Sequence, residues 1–454
     1  MVRRLPSGAA GWTPTETTGL AFDARVLVLA ASDDRIGLLA SGLDALGWRT
    51  VTARDIAAAE ATLNDFPLQA AVVDVDSASP ETLSRLRAAA EPRRLPLLVI
   101  GGRADQTGGA DLVMSTPPHP AQAALRLEKL VRAAIAEEEF RLRVATFAAR
   151  GISLSTEKDD DTPLRVLAAG VADRRFLALS NALTAAGVEV IAAPTPYTAF
   201  DYLHESTFDA AVLWGADDHA PALSIASGMK RNTRLYHIPL MLYLRGKNEI
   251  SLSELFNRGF ADVASADTPE METAERILSL ARAHRRHLTI RKALDSVRSL
   301  EIMDPATGLF TPELFAAHLG RVAEASRARK RPLSVCVLRV RETEAVTWAR
   351  QGGWLDRAMP QIGAMVSRLV RVEDTPVRLA KEVFALALPA THGEEARLAA
   401  ERIAAVIGCT AFDAGADRSP FVAEFDVGSA EIRPGESAAV LLERASTDLY
   451  EKTR

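Results

Sequence analysis

Cysteine is nearly absent: Cys336 and Cys409 are the two in 454 residues. Two thiols exclude a disulfide framework and any four-cysteine zinc site, and they suit a reducing compartment, so a cytoplasmic location is expected. No apolar run approaches the 18 or so residues that cross a bilayer. Neither charge sign dominates, with 54 Lys+Arg against 59 Asp+Glu and a net charge of −5. That excludes the basic surface on which nonspecific nucleic-acid binding depends. The N-terminus carries Arg3 and Arg4 but no apolar core after them, which excludes a secretory signal; residues 1–22 read as a disordered tail. What remains is an ordinary globular balance, 48% hydrophobic and 25% charged, long enough for two to four domains.

Short apolar, β-branched runs alternate with helical patterns over the first half. Strands are expected at 25–31, 48–53, 69–75, 96–100 and near 111–114, with helices at 34–46, 55–65 and 80–91 and a long helix from about Pro120. Such alternation predicts βαβ units and a doubly wound parallel sheet. The order then repeats about 140 residues later. LRVLAAG at 164–170 matches RVLVLAA, DAAVLWG at 209–215 matches QAAVVDV, and IPLMLYL at 238–244 matches LPLLVI. The offset indicates a domain duplication, since a solenoid would repeat every 20–50 residues or so.

Each unit ends in a long charged helix, at 123–150 and about 271–300. In the second, Ile277, Leu278, Leu280, Ala281, Leu288, Leu294 and Val297 form an apolar stripe expected to bury. The polar, acidic segment 151–163 reads as a linker. The domain division expected is therefore 23–150, 164–290 and 291–454. The last domain reads as mixed α/β: strands at 333–340, 376–380 and 383–388, with Lys381-Glu382 turning a hairpin, then a helix at 393–407 and a strand at 421–428.

In strand order and length, residues 25–136 and 164–285 resemble flavodoxin-like receiver domains of response regulators. A working receiver needs an acid pair after its first strand to hold Mg²⁺, a phosphoacceptor Asp, a Thr or Ser, and a Lys. In the first unit these positions fall on Ala30-Ala31 (with Asp33 and Asp34 two or three residues on), Asp74, Gly101 and a position near Thr116. Asp74 is thus the candidate phosphoacceptor. In the second unit the acid pair becomes Gly170 and Val171 and the acceptor becomes Trp214, whose indole takes no phosphoryl group.

The third domain is similar to the GGDEF family of diguanylate cyclases, a nucleotidyl-cyclase-like fold. DPATGLF at 304–310 resembles the family's D-x-L-T-G-L signature, and RLAKEVFALALP at 378–389 resembles its signature hairpin, with Ala380 to Phe384 in place of G-G-D-E-F. The family joins two GTP molecules, using carboxylates for metal and glycines for close approach of backbone to nucleotide. Here the glycines are Ala380 and Lys381, the metal-binding D-x-D is Arg339-Val340-Arg341, and the guanine-reading Asn is Thr347. Arginine cannot ligate Mg²⁺ and repels it, so the departures argue against catalysis and no metal is expected.

One family feature remains. The resemblance implies an inhibitory R-x-x-D site for cyclic di-GMP just before the hairpin, and Arg371-Val372-Glu373-Asp374 stands there. Arginine forks to a guanine edge or a phosphate, and a carboxylate accepts from guanine N1 and N2. Arg368, one turn earlier, and Arg402, on the following helix, are further candidate contacts. His284 and His287 share a helix face, but Arg282, Arg285 and Arg286 surround them and no third ligand is evident, so they are not read as a metal site. Cys336 reads as a small buried hydrophobe.

The combination resembles the PleD/PopA group of alphaproteobacterial regulators. It implies a noncatalytic cyclic di-GMP effector or adaptor, with protein partners on the receivers, a possible homodimer, recruitment to the cell pole, and a part in cell-cycle control through regulated proteolysis. The alternatives are a residual diguanylate cyclase or GTP-binding module, with Arg339 and Arg341 drawing phosphates, and an interaction protein without a ligand.

Overall fold

A computed structural model describes residues 24–32, 36–101, 109–114, 116–154, 162–215, 219–232, 234–245, 250–296, 302–415 and 418–451. The tail expected over 1–22 lies outside them, as do Asp33, Asp34 and Val297.

The first unit runs β1 (Arg25–Leu29), α1 (Gly37–Ala45), β2 (Arg49–Ala53), α2 (Ile56–Asp65), β3 (Ala70–Asp74), α3 (Pro80–Ala89), β4 (Leu97–Ile100), β5 (Leu112–Met114) and α4 (Pro120–Ala148). Its five strands are parallel, in the order β2-β1-β3-β4-β5. Strands β3 and β4 are buried at every residue, which is why they read as unbroken apolar runs and not as alternating ones.

The second unit repeats the plan with β6 (Arg165–Ala169), α5 (Arg174–Ala185), β7 (Glu189–Ala193), α6 (Pro196–Glu205), β8 (Ala210–Trp214), α7 (Ala220–Arg231), β9 (Leu240–Leu244), α8 (Leu252–Asn257), β10 (Asp262–Ser265) and α9 (Glu270–Ser296). The sheet order, β7-β6-β8-β9-β10, is the same. Helix starts follow local chemistry: the Asp173 carboxylate accepts from Phe176 N at 2.8 Å, and Thr195 with Thr198 closes a capping box before Pro196. Ile277, Leu278 and Ala281 of α9 bury into this unit, whereas Leu288 is half-buried. Helix α9 runs through residue 290 without a break.

The third domain contains α10 (Pro312–Arg329), β11 (Leu333–Val340), α11 (Glu344–Gln351), α12 (Trp354–Leu369), β12 (Thr375–Ala380), β13 (Val383–Pro389), α13 (Gly393–Gly408), β14 (Phe425–Glu431) and α14 (Ala438–Glu451). Its sheet is antiparallel, in the order β12-β13-β11-β14, and Lys381-Glu382 turns the expected hairpin. One strand is corrected. The run expected at 421–428 begins at Phe425, because Phe421 is taken by a separate bridge to Phe412. Gly428 lies under α14 so closely that a Cβ would come within 2.3 Å of the Ala445 carbonyl oxygen.

Helix α4 reaches all three units. Ala123, Leu127 and Val131 pack into its own unit, Ala121 and Leu125 against the second, and Phe140 and Phe147 into the third domain's core beside Phe310 and Phe315. Arg126 of α4 and Arg276 of α9 both pair with Asp262 of β10, all three buried. Burial would raise that carboxyl, and the two guanidiniums outweigh it and hold it at about 2. Residues 152–154 follow α4 into the third core, where Leu154 is buried.

Candidate functional site

Two sets of charged groups lie at opposite ends of β12. At the hairpin end, register places Arg339 opposite Asp426 of β14. Arg339 Nη2 lies 3.5 Å from the Asp426 carboxylate, and Arg341 donates to Asp426 and to Glu424, both at 2.8 Å. Arg350 forks to Glu382 at 2.7 and 2.8 Å and to Glu342 at 2.8 and 2.7 Å. Those hydrogen bonds hold Glu342 down at about 2. Lys381 Nζ sits 3.0 Å from Asp356. Asp304 of the DPATGLF segment accepts from Thr307 N and from Arg378, at 2.8 and 3.2 Å, tying that segment to the hairpin. Arg339 and Arg341 thus already have carboxylate partners, Asp426 on β14 and Glu424 just before it.

At the other end the chain leaves α12 at Leu369 and makes a tight turn at Arg371-Val372-Glu373-Asp374 before β12. The turn is closed twice: Asp374 N donates to Arg371 O at 3.2 Å, and Arg371 N donates to Asp374 Oδ2 at 2.9 Å. The Asp374 carboxylate, expected to meet the ligand, is buried here. Asp374 is 5% exposed, because α4 lies against the turn. Arg143 of α4 donates to Val372 O and Asp374 O, both at 2.8 Å, and to Thr375 Oγ1 at 3.0 Å. Asp374 Oδ1 has no hydrogen-bond partner. Burial, aided by the neighbouring Glu373 charge, pushes the Asp374 carboxyl up to about 7. Next to it, Glu139 of α4 and His318 of α10 form a fully buried pair at 2.6 Å, bracketed by Thr146. Burial alone would raise Glu139, but the His318 and Arg143 charges hold it below the usual carboxylate range. Nothing in the sequence pointed to Arg143, Glu139 or His318, since each gains its role from a partner at least 170 residues away.

Arg371 is half-buried. Together with Arg368, Arg402 and Glu373 it lines a cleft of about 1980 Å³ shared by all three units. The structure therefore brings Arg368, Arg371 and Arg402 to one cleft, whose lining does not include Asp374. Lysines and arginines outnumber carboxylates in the lining by eleven to seven.

In the first unit, Asp74 ends β3 and is 5% exposed, and Gly101 stands beside it with φ +84°. In the second, Trp214 ends β8 at 3% exposure, stacked on Tyr243 at 3.9 Å and edge-on to Phe176 at 5.3 Å. Gly170 is needed there, since a Cβ would meet Trp214 Cβ at 2.7 Å. The indole fills the end of that sheet. Among the described residues no group of three or more His, Cys, Asp or Glu is placed to hold a metal ion, and no helix is long and apolar enough to cross a membrane. Cys336 is buried, with its thiol pushed up to about 12 by burial.

Residues 301–454 match the family model described as diguanylate cyclase, GGDEF domain. Solved structures with similar folds include the GGDEF domain of DgcB from Caulobacter crescentus in complex with c-di-GMP, 20% identical over 34% of this chain and 88% of that one, with a TM-score of 0.32. The FimX GGDEF domain from Pseudomonas aeruginosa is 16% identical over 34% of this chain and 93% of that one, with a TM-score of 0.31. Diguanylate cyclase SiaD from the same organism, in complex with its activator SiaC, is 23% identical over 40% of this chain and 70% of that one, with a TM-score of 0.32. No curated protein matches the chain.

Proposed function

We propose that a GGDEF domain at the C-terminal end of this chain serves as a noncatalytic cyclic di-GMP receptor, read out through two receiver-like units. The observation that carries the reading is the contrast within one domain. The charges where a cyclase would hold metal and GTP are consumed in pairs, Arg341 with Asp426 and Arg350 with Glu382. The guanidiniums of Arg368, Arg371 and Arg402 instead share a cleft wide enough for a dinucleotide. Arginine forks suit both the phosphates and the guanine edges of that ligand. Asp374 serves from behind, fixing the turn that aims Arg371.

The parallel sheets of the first two units, in the strand order known from flavodoxin and CheY, support the receiver-like reading. In this reading they offer docking surfaces for protein partners, a second copy included, and Asp74 is the single candidate phosphoacceptor. An adaptor role in cell-cycle proteolysis at the pole is the finer form of the same proposal. Ligand alters output only by favouring one arrangement of the units over another, and α4 is the element that joins them.

The test uses the full chain. Titration with labelled cyclic di-GMP is expected to show saturable binding, and incubation with GTP and Mg²⁺ is expected to yield no cyclic di-GMP. Product that disappears in Glu382→Gln would establish the competing reading, a residual cyclase. Acetyl phosphate is expected to leave residues 162–290 unlabelled, and any label on the first unit to vanish in Asp74→Asn.

A further inference from the structure

The shared cleft has a second basic wall, apart from Arg371. Six side chains from three elements and one loop line it: Lys129 on α4, Lys230 on α7, His237 just before β9, and His284, His287 and Arg291 on α9. The last three recur at helical spacing and share one face. These groups feel one another's charge. Lys230 repels Lys129, His237 and His284, and Arg291 repels His237 and His287. Among the described residues none of the six forms an ion pair with a carboxylate.

The nearest acids are already engaged. Arg285 forks to Asp209 at 2.7 and 2.6 Å, Arg132 lies 3.6 Å from Glu373, and Asp262 sits between Arg126 and Arg276. Elsewhere at the contacts between units the basic groups are paired, as Arg126 and Arg331 are with Asp262 and Glu138. Asp209 attracts His284, Glu373 attracts His287, and Asp262 and Glu128 attract Lys129, each while paired with an arginine; the like charge left over disfavours the compact state and gathers counter-ions. The cleft partly strips these groups of water, and burial draws Lys129 and Lys230 down to about 8 and His237 and His284 to about 4. An anion bound among them relieves both costs.

The composition of the wall narrows the ligand. Two lysines and Arg291, with imidazoles that can donate hydrogen bonds beside them, offer more than one phosphate can engage. Among the described lining residues Tyr236 is the one Phe, Tyr or Trp, so the wall offers charge and imidazoles more than a large ring for stacking a base. We propose that this wall is a second anion site, distinct from the Arg371 turn, that binds a chain of two or more linked phosphates through Lys129, Lys230, His284, His287 and Arg291. The phosphate chain has two sources, an inorganic polyphosphate or the tail of a nucleoside triphosphate.

Calorimetry on the full chain with inorganic tripolyphosphate tests the site, with orthophosphate and GTP as parallel arms. Tripolyphosphate is expected to bind, and orthophosphate to bind at least tenfold more weakly. Lys129→Gln and His284→Gln are each expected to weaken tripolyphosphate at least fivefold, with thermal unfolding confirming an intact fold. Arg371→Ala is expected to leave it unchanged. Tripolyphosphate and GTP of similar affinity assign recognition to the phosphates alone, and a tenfold preference for GTP assigns the nucleotide as the source. Absence of binding, binding indifferent to Lys129→Gln and His284→Gln, or orthophosphate binding as tightly would each overturn the proposal. Loss of tripolyphosphate binding in Arg371→Ala would also overturn it, by merging the two sites. Because cyclic di-GMP titration is a separate measurement, failure here leaves the reading of the turn to stand or fall by itself.

Discussion

Strand β12 is six residues long, and its two ends sit in opposite electrostatic surroundings. At the hairpin end, arginines and carboxylates alternate in space, and each named charge has a partner. At the other end a buried carboxyl keeps one oxygen unpartnered while three guanidiniums face a cleft. The hairpin end shows charges of both signs balanced pair by pair. Arg339 on β11 is tolerated because β14 presents Asp426 opposite it in register, a cross-strand complement that leaves no lone buried charge. The turn end keeps an arrangement that stability alone does not explain, and such strained polar groups concentrate at functional sites.

The comparison is broken or sharpened by four measurements, here in falling order of expected effect. Arg143→Ala removes three hydrogen bonds from the turn and leaves buried carbonyls unpaired. Losing one partner of a buried charged contact costs about 3–5 kcal/mol, read from the urea midpoint of the full chain. A loss under about 1 kcal/mol would show that α4 does not hold the turn. Next, Arg371→Ala is expected to weaken cyclic di-GMP roughly 5- to 150-fold with unfolding unchanged, since a bidentate contact is worth about 1–3 kcal/mol. Equal affinity in wild type and variant would dissolve the distinction between the ends.

The third measurement is a pH series. The folded Asp374 carboxyl titrates at about 7, and an unfolded one near 4. Between those values the folded state holds a proton that the unfolded state has released. The group's contribution is therefore full below about pH 4 and is lost as pH rises through 7. Asp374→Asn is expected to flatten that decline while keeping an oxygen to accept from Arg371 N; matching slopes in the two proteins would contradict it. Smallest is Arg350→Ala, which breaks part-exposed pairs and is expected to cost about 1 kcal/mol or less, with cyclic di-GMP binding unchanged.

The parallel sheets were legible because strands such as β3 and β8 are buried on both faces and so write continuous apolar runs. The hairpin was legible because its motif is local. Strand β14 was misplaced because Phe421 and Val422 look like strand, yet Phe421 pairs back to Phe412. At the candidate site, Arg368, Arg371 and Arg402, named through the resemblance, line one cleft, but the burial of Asp374 was not legible. It depends on Arg143, 231 residues away, on a helix whose sequence reads only as long and charged. The basic wall was equally hidden, since Lys129, Lys230 and the α9 histidines meet only when the units are folded together.

Helix α4 spans 29 residues, about 43 Å at 1.5 Å per residue. Its last turns and the segment after them supply Phe140, Phe147 and Leu154 to a core whose other buried members come from beyond residue 289. Dissecting the chain at the apparent domain boundary would therefore cut through a shared interior. A fragment beginning near residue 291 would carry an open apolar groove where two phenylalanines belong, and Arg331 would lose its Glu138 partner. The smallest piece in which the Arg371 turn keeps its native backing begins at α4, so the protein is better divided by its interiors than by its sequence repeats.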